Sequence, residues 1–139
     1  MYPIELTSPM ARDLTDHGFT ALKTAQEVEN VINNNDNEPM LLVVNSVCGC
    51  AAANARPGAK MSLQHDNAPA ELYTVFAGVD REATQKAREF MLPFPPSSPS
   101  IALFKNGKLV HMLERHHIEG KPAEMIAQNL KAAYDQYCD

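Results

Sequence analysis

The sequence predicts an α/β protein with a central mixed sheet, in which parallel strands are followed by a C-terminal antiparallel hairpin. Residues 40–44 form an uninterrupted apolar run, which is typical of a strand covered by helices on both faces. β-rich and helix-forming segments alternate along the chain, which favours parallel strands with right-handed crossovers. Asn106-Gly107 separates the last two β-rich runs and is a strong hairpin signal. We therefore expect a three-layer sandwich with helices on both faces of the sheet.

The N-terminal segment is expected to contain one short helix after an extended lead-in over residues 1–7. Ser8-Pro9 is a favourable helix start, with Ser8 as the N-cap and Pro9 at the first helical position. This helix should end near Gly18, because glycine can adopt the left-handed conformation that closes a helix.

A second helix is predicted to begin at Thr24, after a brief strand or connector over residues 19–22. Thr24 and Glu27 have the spacing of a capping box, in which each side chain accepts a hydrogen bond from the other residue's backbone. The helix should give way to a solvated polar loop over residues 33–37.

The middle of the chain contains the helix after residues 40–44 and then a further strand and helix. Pro57-Gly58 is expected to interrupt the first of these helices, as a kink or a break. Residues 72–76 are β-rich, and Asp80 is expected to cap the helix that follows.

The C-terminal part is predicted to contain two strands, a connector and a final helix. The strands cover residues 101–104 and 108–113, and residues 115–120 connect them to a helix that begins at Pro122. Its predicted inward face consists of Met125, Ile126, Leu130, Ala133 and Tyr137.

Composition limits the function classes that fit this chain. A net charge of −5 argues against nucleic acid or an anionic membrane as the main partner, and no apolar run is long enough to span a bilayer. The N-terminus lacks a basic region followed by an apolar core, so we expect a reducing cytoplasmic location. No repeat or linker is visible, and we expect a single domain over residues 1–139.

The chemistry-bearing segment is Cys48-Gly49-Cys50, which lies between the predicted buried strand and a run of helix formers at residues 51–56. A helix N-terminus stabilises a thiolate, and the carboxyl edge of an open α/β sheet is where reactive groups usually lie. Cys48 lies just before or at the first helical residue, so we expect Cys48 to have the lower pKa of the two thiols. Gly49 should ease closure of a small disulfide ring, because it can adopt unusual backbone dihedrals. The sequence therefore predicts thiol–disulfide chemistry.

Two alternatives to this chemistry stay open at the level of sequence. The cysteines could be small buried fillers of the core. They could also bind zinc, for which the candidate ligands are Cys48, Cys50, Cys138 and one of His111, His116 and His117. We expect the adjacent histidines to be solvated, and Arg56, close to the thiols in sequence, to be a solvated helix charge.

Two features of the chain resemble the thioredoxin fold: a thiol pair that opens the helix after a buried strand, and Ser98-Pro99-Ser100 directly before the hairpin strand. The chain resembles the bacilliredoxin family more closely still. The matching segments are residues 44–52 (VNSVCGCAA), 55–57, 74–78, 96–100, 115–116 and 118–120.

This resemblance implies a thiol–disulfide oxidoreductase that reduces mixed disulfides between cytosolic proteins and bacillithiol, a low-molecular-weight thiol. Cys48 would attack and Cys50 would resolve. The partners would be S-thiolated proteins and the small thiol, with bacillithiol as co-substrate and no other cofactor or metal. A general protein disulfide isomerase and a redox-sensing or metal-binding module are the alternatives.

The resemblance also assigns a substrate-binding role to Ser98 and Pro99. Thioredoxins carry a cis-proline at this position, facing the redox pair, so that the Ser98 backbone could pair with an extended client segment. Two positions depart from thioredoxins: Val47 replaces the tryptophan before the first cysteine, and Leu42 replaces a buried carboxylate.

Overall fold

A computed structural model describes residues 2–34 and 38–138, in which five strands form one mixed sheet. The strands are β1 (Thr20–Ala21), β2 (Met40–Asn45), β3 (Glu71–Phe76), β4 (Ser100–Lys105) and β5 (Lys108–Leu113), and their order across the sheet is β1-β3-β2-β4-β5. β1, β3 and β2 are parallel, whereas β4 and β5 pair antiparallel to their neighbours. This topology confirms the predicted fold class.

The helices of the described residues are α1 (Ile4–Thr15), α2 (Ala25–Asn33), α3 (Arg56–Ser62), α4 (Arg81–Phe90), α5 (Arg115–Ile118) and α6 (Ala123–Tyr137). A wide π-helical segment, Ala51–Ala55, leads directly into α3. None of these helices is both long and apolar enough to cross a membrane.

Strand β2 is the centre of the molecule, and all six of its residues are buried. Successive side chains of a strand point to opposite faces of the sheet. Leu41 and Val43 therefore join a core with residues of α3 and α6, while Leu42 and Val44 join a second core with residues of α2 and α4. Burial on both faces explains why this strand carries no polar alternation.

The predicted start of the first helix was wrong, because α1 begins at Ile4 and Pro9 lies inside it. Pro9 lies on the exposed face, where water can satisfy the carbonyl that its missing N–H leaves unpaired. Ser8 does not cap; its Oγ accepts a hydrogen bond of 2.8 Å from Arg12 Nη1. Gly18 has a φ of 97° just beyond the helix, as expected for its end.

Two local signals were confirmed. Thr24 and Glu27 form both hydrogen bonds of the capping box at the start of α2. At the hairpin between β4 and β5, Asn106 and Gly107 have φ values of 56° and 75°, the left-handed region that a tight hairpin turn requires. Residues 35–37 of the predicted polar loop lie outside the described residues.

Three predictions about the later helices need correction. Asp80 occupies the N-cap position of α4 but its side chain accepts no capping hydrogen bond. The predicted connector after β5 contains the one-turn helix α5, whose backbone is held by reciprocal bonds between Glu114 and His117. Met125 is 53% exposed rather than inward-facing, since it lies at the edge of the buried stripe that Ile126 and Leu130 define.

Pro57-Gly58 does not break the helix after the thiols. The Arg56 N–H bonds to the Ala51 carbonyl, five residues back, so the chain widens just before the proline and then continues as α3. Gly58 has a packing role instead. A Cβ there would lie 2.6 Å from Ile126 Cγ2, so its absence lets α3 approach α6 closely.

Candidate active site

Cys48 and Cys50 lie where the chain leaves β2 and enters the following helix, both partly buried. Their sulfur atoms are 2.6 Å apart. The Cys50 backbone N–H donates to the Cys48 sulfur over 3.4 Å, so the first thiol is bonded to a backbone N–H at the helix start. Gly49 between them is helical and outside the left-handed region, so this conformation does not use the unusual dihedrals expected of it.

The surroundings shift the pKa values of the two thiols in opposite directions. A hydrogen bond from the Cys50 thiol lowers the pKa of Cys48 below its ordinary value, and the Cys50 N–H and the Arg115 charge add to this effect against partial burial. Burial, the hydrogen bond to Cys48 and repulsion from its thiolate raise the pKa of Cys50. Cys48 is therefore the thiol of the pair that loses its proton first. Which cysteine attacks and which resolves stays a prediction.

A buried polar network holds the loop between β2 and the thiols. Ser46 Oγ accepts the Cys48 N–H at 3.1 Å, and the Ser46 N–H donates to Asn45 Oδ1 at 2.9 Å. Arg56 Nη1 donates to the same Asn45 oxygen at 2.9 Å and to the Ser46 carbonyl at 3.2 Å. The expectation that Arg56 is a solvated charge was therefore wrong, because only 5% of it is exposed.

The counter-charge for Arg56 comes from α1. Asp13 Oδ2 lies 3.0 Å from Arg56 Nε, and Asp13 Oδ1 lies 2.6 Å from Lys60 Nζ. Partial burial acts to raise the pKa of Asp13, but hydrogen bonds and attraction from Lys60 and Arg56 outweigh it and hold that pKa below its ordinary value. Asn45 Nδ2 also donates to the Met10 carbonyl at 3.1 Å. Helix α1 thus completes the support of the thiol loop.

The loop that carries Ser98 and Pro99 reaches the same edge of the sheet as the thiols. Ser100, the first residue of β4, pairs with Val44 near the end of β2, so Pro99 lies beside the point where the chain turns toward Cys48. The Ser98–Pro99 peptide bond is cis, and Pro99 is buried while Ser98 is half-buried. Their role in binding a client stays a prediction.

Arg115 links this loop to the thiols, and sequence reasoning missed it. Its backbone N–H donates to Ser97 Oγ and its Nη1 donates to the Ser98 carbonyl, both over 3.3 Å. The short helix α5 places Glu119 four residues on, where its Oε2 receives bonds of 3.2 and 3.1 Å from Nε and Nη2 of Arg115. The only sequence signal for this pair was its occurrence in a segment that resembles the family.

In the part of the chain that the structure describes, no cluster of possible metal ligands contains a cysteine, as the zinc alternative would require. Among the described residues, the single group of three side chains whose ligand atoms could meet at one ion is Glu114, His116 and His117, with no cysteine in it. His116 and His117 are exposed, as expected. His117 Nδ1 already accepts the Glu114 N–H at 3.0 Å. That the cysteines bind no metal stays a prediction.

Comparison with known sequences decides the family. A family model described as disulphide isomerase matches residues 2–138. A bacilliredoxin from Cytophaga hutchinsonii is 56% identical over 136 residues, which covers 98% of this chain and 99% of that protein. A bacilliredoxin from Halalkalibacterium halodurans is 49% identical over 138 residues, covering 99% and 95%. The chain belongs to the bacilliredoxin family.

Solved structures place this bacilliredoxin-family chain in the thioredoxin fold. The thioredoxin of Malassezia sympodialis superposes with a TM-score of 0.60 at 17% identity. The matched part covers 87% of this chain and 91% of that thioredoxin. The thioredoxin of Fasciola hepatica gives a TM-score of 0.57 at 16% identity, with coverage of 86% and 99%. Family and fold together identify a thiol–disulfide oxidoreductase.

One departure from thioredoxins is now visible in three dimensions. Leu42, at the position where they carry a buried carboxylate, is fully buried in the apolar core against α2 and α4. In this bacilliredoxin-family protein, the thiol loop is bonded instead to Arg56 of α3, which donates to the Ser46 carbonyl. Asp13 of α1 pairs in turn with Arg56.

Proposed function

We propose that this protein removes bacillithiol from S-thiolated cytosolic proteins through the Cys48-Gly49-Cys50 centre. The observation that carries the proposal is the position of Cys48 at the helix start, where its sulfur accepts the Cys50 N–H and its pKa is lowered while that of Cys50 is raised, which supports Cys48 as the attacking thiol. The bacilliredoxins at 56% and 49% identity support the choice of small thiol.

The first step is an exchange in which the Cys48 thiolate attacks the bacillithiol sulfur of the mixed disulfide. A disulfide forms between Cys48 and bacillithiol, the client's S–S bond breaks, and the client sulfur leaves as a thiolate that takes a proton from water. A thiol with a pKa close to the surrounding pH attacks best, because a much lower pKa also reduces nucleophilicity.

The second step regenerates Cys48 by one of two routes. A second low-molecular-weight thiol can attack the mixed disulfide, leaving Cys48 as a thiolate and the small thiols as their disulfide. Alternatively, Cys50 attacks Cys48, releases bacillithiol, and forms a Cys48–Cys50 disulfide that an external thiol must reduce. The raised pKa of Cys50 keeps it protonated during the first step.

Client binding is assigned to the loop at Ser98 and Pro99. An extended client segment would pair with the Ser98 backbone, which lies on the thiol edge of the sheet and whose carbonyl is held by Arg115. Pairing through backbone groups suits an enzyme that must accept many clients, because it makes little use of client side chains.

The decisive experiment follows a bacillithiol-modified client by mass spectrometry with Cys48→Ser and Cys50→Ser variants. With excess small thiol, Cys50→Ser should retain most activity, and without it the same variant should accumulate a Cys48–bacillithiol adduct. Cys48→Ser should be inactive in both conditions. Circular dichroism of both variants controls for folding. If Cys48→Ser retained activity while Cys50→Ser lost it, the assignment would be reversed.

A general protein disulfide isomerase is the second candidate, favoured by the description of the matching family model. The rate of bacillithiol removal should be compared with the rate at which the protein rescues a scrambled-disulfide substrate. A client modified with glutathione in place of bacillithiol tests the choice of small thiol. Faster rescue of the scrambled substrate than bacillithiol removal would favour the isomerase.

A further inference from the structure

A cavity of about 410 Å³ lies between α4 and the loop that leads to Pro99. This volume is within the range of small-molecule sites. Its walls include Arg81, Gln85 and Arg88 from α4, and Phe94 and Pro96 from the loop. Neither cysteine lines it, so the cavity is separate from the thiol pair.

The cavity has an excess of positive charge, although the protein has a net charge of −5. Arg81 and Arg88 are two helical turns apart and share one face of α4. The ion pairs among the described residues involve neither of them. The acidic residue of the lining, Glu89, is already bound to Lys86 Nζ at 2.9 Å. Within residues 2–34 and 38–138, neither arginine therefore has a carboxylate at ion-pair distance.

Arg88 shows the strongest sign of a missing partner. Its Nε is buried and has no hydrogen-bond partner. Burial also lowers the pKa of Arg88 below its ordinary value, which reflects a charge withdrawn from water without compensation. Native proteins rarely leave a buried donor unpaired, since the lost hydration costs free energy. Because Nε itself has almost no accessible surface, an anion in the cavity would bind the terminal Nη groups of this half-buried side chain, and its negative charge would compensate the partly buried guanidinium.

Neighbouring acidic groups do not supply that acceptor. Asp80 precedes Arg81 but does not line the cavity. Burial raises the pKa of Asp80, and the Lys23 charge acts against that rise. Thr84 Oγ1, also in the lining, donates to the Asp80 carbonyl at 2.8 Å. The positively charged donors of the lining are therefore those of Arg81 and Arg88.

We propose that this cavity binds the anionic group of a small molecule, a carboxylate or a phosphate, through Arg88 and Arg81. The planar guanidinium group matches both anions with paired hydrogen bonds, which a lysine cannot make. The site goes beyond the proposed function, since it requires neither cysteine. Pro96 is two residues from Ser98, so a bound anion lies beside the loop to which client binding is assigned.

The test measures binding of inorganic phosphate and of malonate to the reduced protein by calorimetry and by thermal shift, with sodium chloride at matched ionic strength as the reference. The wild type should bind at least one anion saturably. Arg88→Met should weaken that binding about tenfold or more, because charge-assisted hydrogen bonds are lost. Lys108→Gln removes one positive charge at the far edge of the sheet and should bind like the wild type.

Without anion, Arg88→Met should unfold at the same temperature as the wild type or higher, because it removes an unpaired buried donor and keeps the apolar stem. If it nevertheless fails to fold, Arg81→Gln at the exposed mouth provides the second variant and should also weaken binding. A preference for malonate would identify a carboxylate ligand, and a preference for phosphate a phosphorylated one. Absence of binding above chloride, or equal binding by wild type and arginine variants, would overturn the proposal.

Discussion

The Arg115 guanidinium donates a hydrogen bond to the Ser98 carbonyl, with 3.3 Å between Nη1 and the oxygen, while its charge acts on both thiols. One side chain therefore couples the loop beside Pro99 to the acidity of Cys48. Glu119 keeps Arg115 in this position through its ion pair of 3.1 Å.

Arg115→Gln should raise the pKa of Cys48, because a positive charge near the thiolate is lost. At neutral pH the rate of alkylation by iodoacetamide should fall by about two- to fivefold, the size of effect expected for an exposed charge pair. The measurement is the alkylation rate as a function of pH. Lys108→Gln serves as the control and should leave the profile unchanged; an equal shift in both variants would contradict a local effect of Arg115.

Arg56→Met should destabilise the protein by about 2–3 kcal/mol, because Asn45, Ser46 and Asp13 lose a buried hydrogen-bond donor. Urea unfolding measures the loss. Arg12→Met, on the exposed surface of α1, should change stability by less than about 0.5 kcal/mol. Equal stability of the wild type and Arg56→Met would show that the network contributes no net stabilisation.

Asp13→Asn should change how stability depends on acid. The folded pKa of Asp13 lies below its unfolded value of about 3.9, so the folded state binds fewer protons between these two values. Its contribution is therefore fully present above about pH 4 and is lost as the pH falls through the folded pKa. The stability difference between wild type and variant should be largest near neutral pH and shrink towards pH 3 in urea titrations. A constant difference would exclude ionised Asp13 as its source.

Two glycines provide a matched test of helix packing. Gly58→Ala places a Cβ 2.6 Å from Ile126 Cγ2 and should cost about 1–3 kcal/mol, because α3 must move away from α6. Gly49→Ala meets nothing within 4 Å and should alter stability by less than about 0.5 kcal/mol. Thermal unfolding of the reduced proteins compares them. A larger loss in Gly49→Ala would show that the residue needs a conformation other than this helical one.

Features that depend on neighbouring residues were well predicted from the sequence. The apolar run at residues 40–44 lies in β2, the Thr24–Glu27 spacing forms its capping box, and Asn106-Gly107 makes the hairpin turn. Each rests on contacts within a few residues or on a continuous run of apolar residues. The start of α1 was mispredicted because proline usually marks the first turn of a helix, whereas here Pro9 lies at an exposed position inside one, despite its cost.

The surroundings of the thiols were predicted much less well. Arg56 and Asp13 are 43 positions apart, and Arg115 and Ser98 are 17 apart. No periodicity connects such residues. From the sequence alone, a charged residue on a helix is predicted to be solvated. Arg56 is buried because the fold brings Asp13 of α1 to it.

Apart from the one-turn helix α5, the sequence by itself determined the order of strands and helices. It also determined the placement of a thiol pair after a buried strand and the likeness to a family of thiol–disulfide oxidoreductases. Tertiary structure alone decided which charges stand near the thiols, that Arg56 is buried, and that two unpaired arginines line a cavity beside the loop at Pro96. The division follows from physics: local structure depends on a few adjacent residues, whereas burial and charge pairing depend on which distant segments pack together.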